Sequence, residues 1–375
     1  MSERPTSLPD SAVYRDRLAR AAQELSAHTT DALIVSVGRD LPYLTGYDAM
    51  PLERLTALVV TPGRHPVLLV PALERPRVAE IPEAFETRPW AESDDPIALL
   101  ADELGDARTV AVGDQMWSRF LVELLDIRPD ITLRRARDVI GAMRCVKDAA
   151  EVAALAAAGA AVDRIAAQLR SGEIPLVGRT EAEVSADLSE RILFEGHQRV
   201  NFAIVACGEN AASPHHHAGQ RVIGVDEIVL CDFGGTMNGY CSDITRCVVT
   251  GEAASDVAEA WDVLREAQQA GVDAAVVGAS CSDVDRATQR VITDAGWGEY
   301  IMHRTGHGIG MEEHEDPYMV VGNDEPIRAG HAFSIEPGIY VPGKWGMRLE
   351  DIVVATDAGP VRMNTAGRDL PSVTD

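Results

Sequence analysis

The stretch IVLCDFGGTMNGYCSDITRCVVT, residues 228–250, decides how the second half of this chain folds. Its pattern predicts two apolar strands joined by a glycine-containing turn around Gly234 to Gly239. Asp232 interrupts the first strand and Asp243 the second. A buried carboxylate is strongly destabilising unless it is paired or bound to a cation, so something positive is expected between them. A pair of turn or edge aspartates is the plainer alternative.

Two further segments carry residues of the same chemistry. The glycines of HRTGHGIG, residues 303–310, argue against a helix and fit a close backbone approach to a site. Glu336 ends an apolar strand that begins at Ala332, and Glu350 lies in a strand predicted over 348–355. Two aspartates, two glutamates and one histidine make an oxygen-rich set. Such a set suits two divalent ions about 3.5 to 4 Å apart better than a structural zinc ion.

The rest of the chain predicts two domains, because 375 residues exceed what one hydrophobic core usually supports. Short β-rich runs alternate with helical periodicity in the first part, which predicts an α/β domain over residues 1–140. An alanine-rich helix over Lys147 to Leu169 opens the second part, and Thr180 with Glu183 predicts a capping box. The strand candidates beyond it are mostly antiparallel, so we expect an α+β domain over 141–375.

The composition excludes several classes of partner. The chain has 59 acidic and 34 basic side chains and a net charge of −25, which repels nucleic acid and anionic membranes. We see no secretory signal and no run of the ~18 apolar residues that span a membrane, so we expect a cytoplasmic protein. Six cysteines without C-x-x-C spacing predict reduced, buried thiols rather than disulfides or metal ligands.

These motifs together resemble the pita-bread (creatinase/prolidase) metallopeptidases, and most closely the Xaa-Pro dipeptidases (prolidases) and Xaa-Pro aminopeptidases. The resemblance rests on DFGGTMNGYCSDITR, HRTGHGIGMEEHEDP, SIEPGIY and MRLED, in that order, and extends through NAASPHHHAGQRVI. LPYLTGY near residue 41 resembles the amino-terminal domain of the same family. The resemblance implies a pita-bread catalytic domain behind a creatinase-like α/β domain, and a homodimer, which the residues themselves do not establish.

The resemblance also implies two divalent metal ions per chain, with manganese preferred and cobalt, iron or zinc as alternatives. Asp232 would bind one ion, His307 and Glu336 the other, and Asp243 and Glu350 both. The ions would activate a bridging hydroxide that attacks the scissile carbonyl. Glu336 would carry the proton to the leaving nitrogen, which has no hydrogen of its own in an Xaa-Pro bond. The implied function is removal of the amino-terminal residue from small peptides with proline in the second position.

Further histidines match positions of the family's active site. His215, His303 and His314 are expected to hold the substrate carbonyl and stabilise the oxyanion that forms on attack. His216 and His217, their neighbours in the loop triplet, are expected to be solvated.

Two more positions concern how the substrate is held. Arg348 matches a family arginine close to the metals, with an ordinary strand-end ion pair as the alternative. Many prolidases have an arginine four residues after the equivalent of His314, thought to bind the carboxylate of a dipeptide, and here that position is Tyr318. A tyrosine offers one neutral hydrogen bond in place of a charged pair. We therefore expect cleavage of dipeptides and longer peptides with modest discrimination, unless Arg348 or a partner subunit takes over.

Two other functions stay open. Methionine-type aminopeptidases share all five ligands, but they usually lack an amino-terminal domain of this size and the HRTGHGIG form. Some pita-bread proteins have lost metal chemistry and bind peptides without cleaving them. Such losses show as missing ligands, and none is missing here; the same argument counts against creatine amidinohydrolase.

Overall fold

A computed structural model describes residues 11–373 of the chain. They form two compact units, one ending at Arg144 and the other beginning at Cys145. The predicted combination of an α/β part and an α+β part is confirmed by the elements of each unit. The division after residue 140 itself stays a prediction.

The first unit is built around a mixed sheet. In chain order, the elements up to the end of this unit are α1 Ser11–Ala27, β1 Ala32–Val35, α2 Asp40–Thr45, β2 Ala57–Val60, β3 Val67–Pro71, β4 Glu86–Trp90, α3 Pro96–Leu104, β5 Thr109–Val112, α4 Ser118–Ile127, β6 Thr132–Arg135 and α5 Ile140–Cys145. The strand order is β4-β3-β2-β1-β5-β6, and β1 pairs antiparallel with β2 but parallel with β5. Leu100, Leu104, Phe120 and Leu124 cover one face of this sheet and make its core.

The second unit combines helices with antiparallel sheets. Its elements are α6 Ala149–Arg170, α7 Glu181–Phe194, β7 Arg199–Cys207, β8 Ile228–Met237, β9 Tyr240–Cys241, β10 Ile244–Val249, α8 Ser255–Ala274, α9 Cys281–Asp294, β11 Gly306–Gly308, β12 Glu315–Met319, β13 Ala332–Ile335, β14 Gly338–Val341, β15 Trp345–Arg348, β16 Asp351–Thr356 and β17 Gly359–Arg362. One sheet has the order β10-β8-β7, with β9 against β8, and another has the order β12-β11-β13-β16-β17. The hairpin β14-β15 completes the set.

Helix α6 belongs to the core of this unit. A capping box of Asp148 and Glu151 starts it, and the capping box predicted at Thr180 starts α7. By length and composition alone α6 is apolar enough to cross a membrane, but half of its most apolar window is buried inside the structure. Its residues Ile165 and Leu169 pack against the sheet formed by β7, β8 and β10. The helix is therefore weak evidence for a membrane span, because core helices pass the same test.

The turn predicted around Gly234 to Gly239 is wrong in its extent. Strand β8 continues to Met237, and the reversal uses Asn238 and Gly239, with φ of 51° and 84°. A Cβ atom at Gly234 would overlap the carbonyl oxygen of Ser242. This glycine therefore permits close strand approach rather than a turn.

The strand predicted over 348–355 is also wrong, because it is two strands. Strand β15 ends at Arg348 and pairs with β14, whereas β16 begins at Asp351 and pairs with β13. Leu349 and Glu350 lie between them. The chain changes sheets at this break, which leaves the Glu350 side chain outside either ladder.

All six cysteines are free and buried, which confirms the prediction of buried thiols. Cys231 precedes a candidate ligand, and burial raises the pKa of its thiol well above the ordinary value. It is therefore a neutral, apolar side chain.

Candidate active site

The five residues predicted to bind metal all line one pocket of the second unit, and we call them the ligand cluster. Asp232 lies within β8, and Asp243 lies between β9 and β10. His307 is the central residue of β11, Glu336 directly follows β13, and Glu350 lies between β15 and β16. Each ligand thus sits in a strand, at its end or at a break between two strands.

Strand pairing brings these positions together. In the antiparallel pair β8-β10, Asp232 is opposite Thr245. The backbone N–H of Glu350 donates to the carbonyl of Thr245 over 3.3 Å, which ties one sheet to the other. Strands β13 and β16 are in register, so Glu336 and Glu350 leave the same end of that pair. Two sheets therefore place carboxylates from distant parts of the sequence at one point.

The ligand atoms are close enough to share a cation. One ligand atom from each of Asp243, His307 and Glu350 lies within 4.8 Å of the others. The Nε2 atom of His307 is 3.2 Å from Oε1 of Glu336 and 3.8 Å from Oδ2 of Asp243. The Nδ1 atom of His307 lies 3.1 Å from the carbonyl of Gly308, which can only accept, so the proton belongs on Nδ1. With that proton on Nδ1, Nε2 and the carboxylate oxygen of Glu336 would face each other with lone pairs. A second ring proton or a metal ion must then lie between them.

The carboxylates of the cluster are short of positive partners. Asp243 and Glu350 are only 4% and 2% exposed. Burial first, and then the charges of neighbouring carboxylates, raises the pKa of Asp232, Asp243 and Glu350 above the ordinary values. The Oδ1 atoms of Asp232 and Asp243 are buried and have no hydrogen-bond partner among residues 11–373. These oxygens and one imidazole fit a hard divalent cation. Its binding would balance the negative charge of the carboxylates and give the two Oδ1 atoms a partner.

Glu336 differs from the other carboxylates of the cluster. Burial alone would raise its pKa, but the hydrogen bond with His307 and the electrostatic influence of His307, His303 and Arg348 outweigh burial and lower the pKa. The hydroxyl of Ser334 donates to Oε1 of Glu336 over 3.0 Å. Glu336 is therefore held as an ionised carboxylate.

Arg348 is buried beside the cluster, with 3% of its surface exposed. Its guanidinium donates to Oδ2 of Asp232, to the hydroxyl of Thr245 over 3.0 Å and to the hydroxyl of Tyr340 over 2.8 Å. It also reaches the carbonyl of Pro214 at 3.4 Å. Arg348 therefore lies beside the candidate metal ligands and also forms an ion pair with one of them. The two alternatives given for this arginine do not exclude each other.

His303 is held at both ring nitrogens. Its Nδ1 atom is 2.7 Å from the carbonyl of Arg304, and its Nε2 atom is 2.8 Å from the hydroxyl of Tyr340. Arg348 already donates to that hydroxyl, so the hydroxyl proton points to Nε2 and the ring proton is on Nδ1. Burial lowers the pKa of His303, in keeping with a neutral ring.

His215 and His314 line the same pocket and are exposed. The ring of His314 lies against that of His307, with ring centroids 3.8 Å apart. Desolvation in the pocket, and then the electrostatic influence of His307, lowers the pKa of His314 to about 4. At neutral pH its ring is uncharged, with an N–H available to a ligand. His217 is exposed and lies outside the pocket lining.

The expectation that His216 is solvated is wrong. Its Nε2 atom is 2.8 Å from Oε2 of Glu181, a carboxylate that is fully buried. Glu181 also accepts from the backbone N–H groups of Cys207 and Gly219 and from the side chain of Asn210. Burial alone would raise the pKa of Glu181, but these hydrogen bonds lower it. His216 therefore anchors the loop that carries His215.

The pocket has a volume of about 510 Å³ and an apolar side made by Phe202, Ile204 and Val320. Sequence reasoning did not assign any role to Tyr340 or Arg304. Both lie inside the quoted motifs SIEPGIY and HRTGHGIG, so their positions were visible. Their orientation depends on residues far away in the chain, which the motifs do not reveal.

Comparison with known proteins identifies both halves of the chain. The profile of metallopeptidase family M24 matches residues 144–357, and that of the creatinase/prolidase N-terminal domain matches residues 17–146. The chain is 42% identical over 366 residues to a probable dipeptidase PepE of Mycobacterium tuberculosis, covering 96% of this chain and 97% of that protein. It is 35% identical over 352 residues to an Xaa-Pro dipeptidase of Lactobacillus delbrueckii subsp. lactis, covering 92% and 94%.

Solved structures agree with this placement. The crystal structure of dipeptidase PepE from Mycobacterium ulcerans superposes with a TM-score of 0.93 at 44% identity, covering 98% of this chain and 100% of that one. A prolidase from Thermococcus sibiricus gives a TM-score of 0.90 at 32% identity, with the same coverage of both chains.

Proposed function

We propose that this chain, which belongs to metallopeptidase family M24, is a dinuclear-metal exopeptidase that removes the amino-terminal residue from Xaa-Pro peptides. It is a dipeptidase- or prolidase-like peptidase with a pita-bread catalytic domain, as its family and relatives establish. The observation that carries the finer proposal is the ligand cluster. Four carboxylates and one imidazole converge in a pocket, and two carboxylate oxygens there have no hydrogen-bond partner in the described part of the chain.

Family M24 implies divalent metal ions. We propose two per chain, with Asp232 holding one, His307 and Glu336 the other, and Asp243 and Glu350 both. The oxygen-rich donor set supports manganese first, with cobalt, iron or zinc as alternatives. When bound, the ions would supply Lewis-acid activation of a water molecule and of the scissile carbonyl.

Glu336 is the proposed proton carrier. Its lowered pKa keeps it ionised and ready to accept a proton from the attacking water. It would then deliver this proton to the leaving nitrogen. The prolyl nitrogen carries no hydrogen in the peptide, so its departure as an amine requires such delivery.

His314 and His215 are the proposed donors to the oxyanion. Both face the pocket, and a neutral ring can donate one N–H to the developing charge. His303 has neither nitrogen free, so we assign it a positioning role with Tyr340 and Arg348. That network orients Arg348, which in turn holds Asp232.

Substrate and setting follow from the same features. We propose small peptides with proline in the second position, in keeping with the relative named Xaa-Pro dipeptidase. The net charge of −25 disfavours nucleic acid and anionic membranes as partners. A cytoplasmic location and a homodimer are also part of the proposal, and the homodimer rests on the family resemblance.

The test is a metal analysis combined with a peptide panel. Protein stripped with a chelator and reloaded with each metal should bind two ions per chain and cleave Ala-Pro, whereas stripped protein should not. Cleavage of Met-Ala-Ser but no Xaa-Pro peptide would favour a methionine-type aminopeptidase. Binding of these peptides without cleavage in any metal would favour a peptide-binding module. Full activity after exhaustive chelation would overturn the metal assignment.

A further inference from the structure

Hydrogen bonds fix the backbone around Arg304, whose side chain reaches the pocket. Its carbonyl accepts from His303 over 2.7 Å, and the N–H of Thr305 donates to Asp285 over 2.9 Å. The side chain lines the same pocket as the ligand cluster. Within residues 11–373, the guanidinium makes no hydrogen bond or ion pair, and its buried Nε atom has no partner. A buried donor on a charged group is destabilising until a ligand accepts from it.

An aromatic ring sets the position of this guanidinium. The central carbon of the Arg304 guanidinium lies over the ring of Tyr318, 4.5 Å from its centroid. The contact is a cation–π pair, and it leaves the edge of the planar group available to a ligand. Tyr318 therefore supports a cation at a place where the tyrosine itself has no charge to offer.

The other arginine of the pocket lining is not available. Arg348 already donates to Asp232, Thr245 and Tyr340. A substrate anion would have to displace Asp232, a candidate ligand. Between the two arginines in the lining, Arg304 is the one with donors to spare.

We propose that Arg304 binds the free α-carboxylate of a dipeptide and thereby selects dipeptides over longer peptides. The inference rests on the proposed Xaa-Pro peptidase function. In a dipeptide, that carboxylate is only one residue beyond the scissile bond, so it lies within the same pocket as the reacting carbonyl. A planar guanidinium matches a carboxylate with two parallel hydrogen bonds. Arg304 thus replaces the modest discrimination expected from Tyr318 alone with a preference for dipeptides.

The test compares kcat/KM for Ala-Pro, Ala-Pro-amide and Ala-Pro-Ala in one metal buffer. The wild type should prefer Ala-Pro over its amide by about tenfold to a hundredfold, the factor expected for one charge-assisted pair. Arg304→Met should remove this preference and leave the amide within about threefold of the wild-type value. A wild type without the preference, or a variant that weakens both substrates equally, would overturn the proposal. A wild type that cleaves none of the three would instead refute the proposed function.

Controls separate contact from charge and folding. Arg265→Met removes a half-exposed arginine of α8 outside the pocket lining, and its substrate ratio should match that of the wild type. A ratio lowered as much as in Arg304→Met would indicate a long-range charge effect and sink the assignment. Calorimetric titration with proline and prolinamide gives a readout without turnover. Arg304→Met should weaken proline by about tenfold or more and leave prolinamide unchanged, whereas equal affinities in the wild type would contradict the proposal.

Discussion

The ligand cluster and another part of the same pocket, the open wall of His215, Arg304 and His314, are built in opposite ways. The cluster is buried in two sheets, and Arg348 and Thr245 hold its carboxylates. Within residues 11–373, no hydrogen bond or ion pair of its side chain holds any residue of the open wall. Arg348 is one cation against four carboxylates in the cluster, whereas the guanidinium of Arg304 in the wall has no anionic partner among residues 11–373. The difference is what the proposed function requires, with a buried cluster that would hold metal and an open wall that would contact substrate.

Asp243→Asn should produce the largest effect, because it removes a carboxylate proposed to bind both ions. We expect both ions to be lost and activity to fall to background, more than the 10² to 10³ of about one oxyanion contact. Metal content by mass spectrometry and hydrolysis of Ala-Pro measure the two effects. Asp262→Asn, at an exposed aspartate of α8, is the matched control. Retained metal and activity in Asp243→Asn would show that Asp243 is not a required metal ligand, and the proposed metal-binding role of the cluster would fail.

His314→Ala and His215→Ala should keep the metal and lose kcat. Each removes one proposed oxyanion donor, which is worth roughly 10² to 10³ in kcat. Steady-state kinetics with metal analysis of each variant make the measurement, and His217→Ala serves as the control because His217 is exposed outside the pocket lining. Loss of metal in either variant would indicate that the histidine helps to bind the metal and would contradict its assignment as an oxyanion donor.

His216→Ala should have a smaller but measurable effect, whereas replacing a solvated histidine would have almost none. Loss of a hydrogen bond to buried Glu181 should lower the free energy of unfolding by about 1 to 3 kcal/mol. The displaced loop should also lower kcat, by less than His215→Ala does. Chemical denaturation and kinetics test both, and His216→Gln should recover part of the loss because it keeps an N–H donor. A silent His216→Ala would mean that the Glu181 contact does not position the loop.

The smallest effect concerns the metal-free protein. The pKa values of Asp232, Asp243 and Glu350 are raised in the folded state, so their protonated forms favour folding at low pH. This contribution is lost as the pH rises through the raised values. The gap in Tm between metal-loaded and metal-free protein should therefore be wider at pH 8 than at pH 5.

Asp243→Asn tests the same sign in the absence of metal. It relieves one repelling charge, so metal-free variant should melt above metal-free wild type at pH 8, by roughly 2 to 4 °C per kcal/mol gained. Differential scanning calorimetry after chelation measures this shift. An unchanged or lower Tm would show that the cluster is not strained by its own charge.

The five residues of the ligand cluster could be singled out from the sequence because their residue types are unusual at those positions. Asp232 stands in an otherwise apolar strand and Glu336 ends another, and such carboxylates need a reason to be there. The helix and strand patterns were equally readable, as the capping box at Thr180 shows. Local propensity and local chemistry agreed at these positions.

The contacts that position the site were not accessible in the same way. His216 meets Glu181 across 35 residues, and nothing in a triplet of histidines shows which ring turns inward. The cation–π contact of Arg304 with Tyr318 likewise depends on two segments folding back on each other. The break at Leu349 followed from a change of sheet partner, which periodicity does not record. Side-chain direction and long-range pairing, rather than residue type, are what the sequence leaves open.

The row of donors that runs from Arg348 through Tyr340 and His303 to the carbonyl of Arg304 has a consequence for proton traffic. A relay works only if every member can pass on the proton that it receives. This row ends at a peptide carbonyl, which cannot release one, so it is a dead end. If Glu336 carries the proton as proposed, the protons must then enter and leave the pocket by a route other than this row. His303 therefore does not pass protons on. Replacing Tyr340 with phenylalanine should loosen the orientation of the His303 ring without opening a second route for protons.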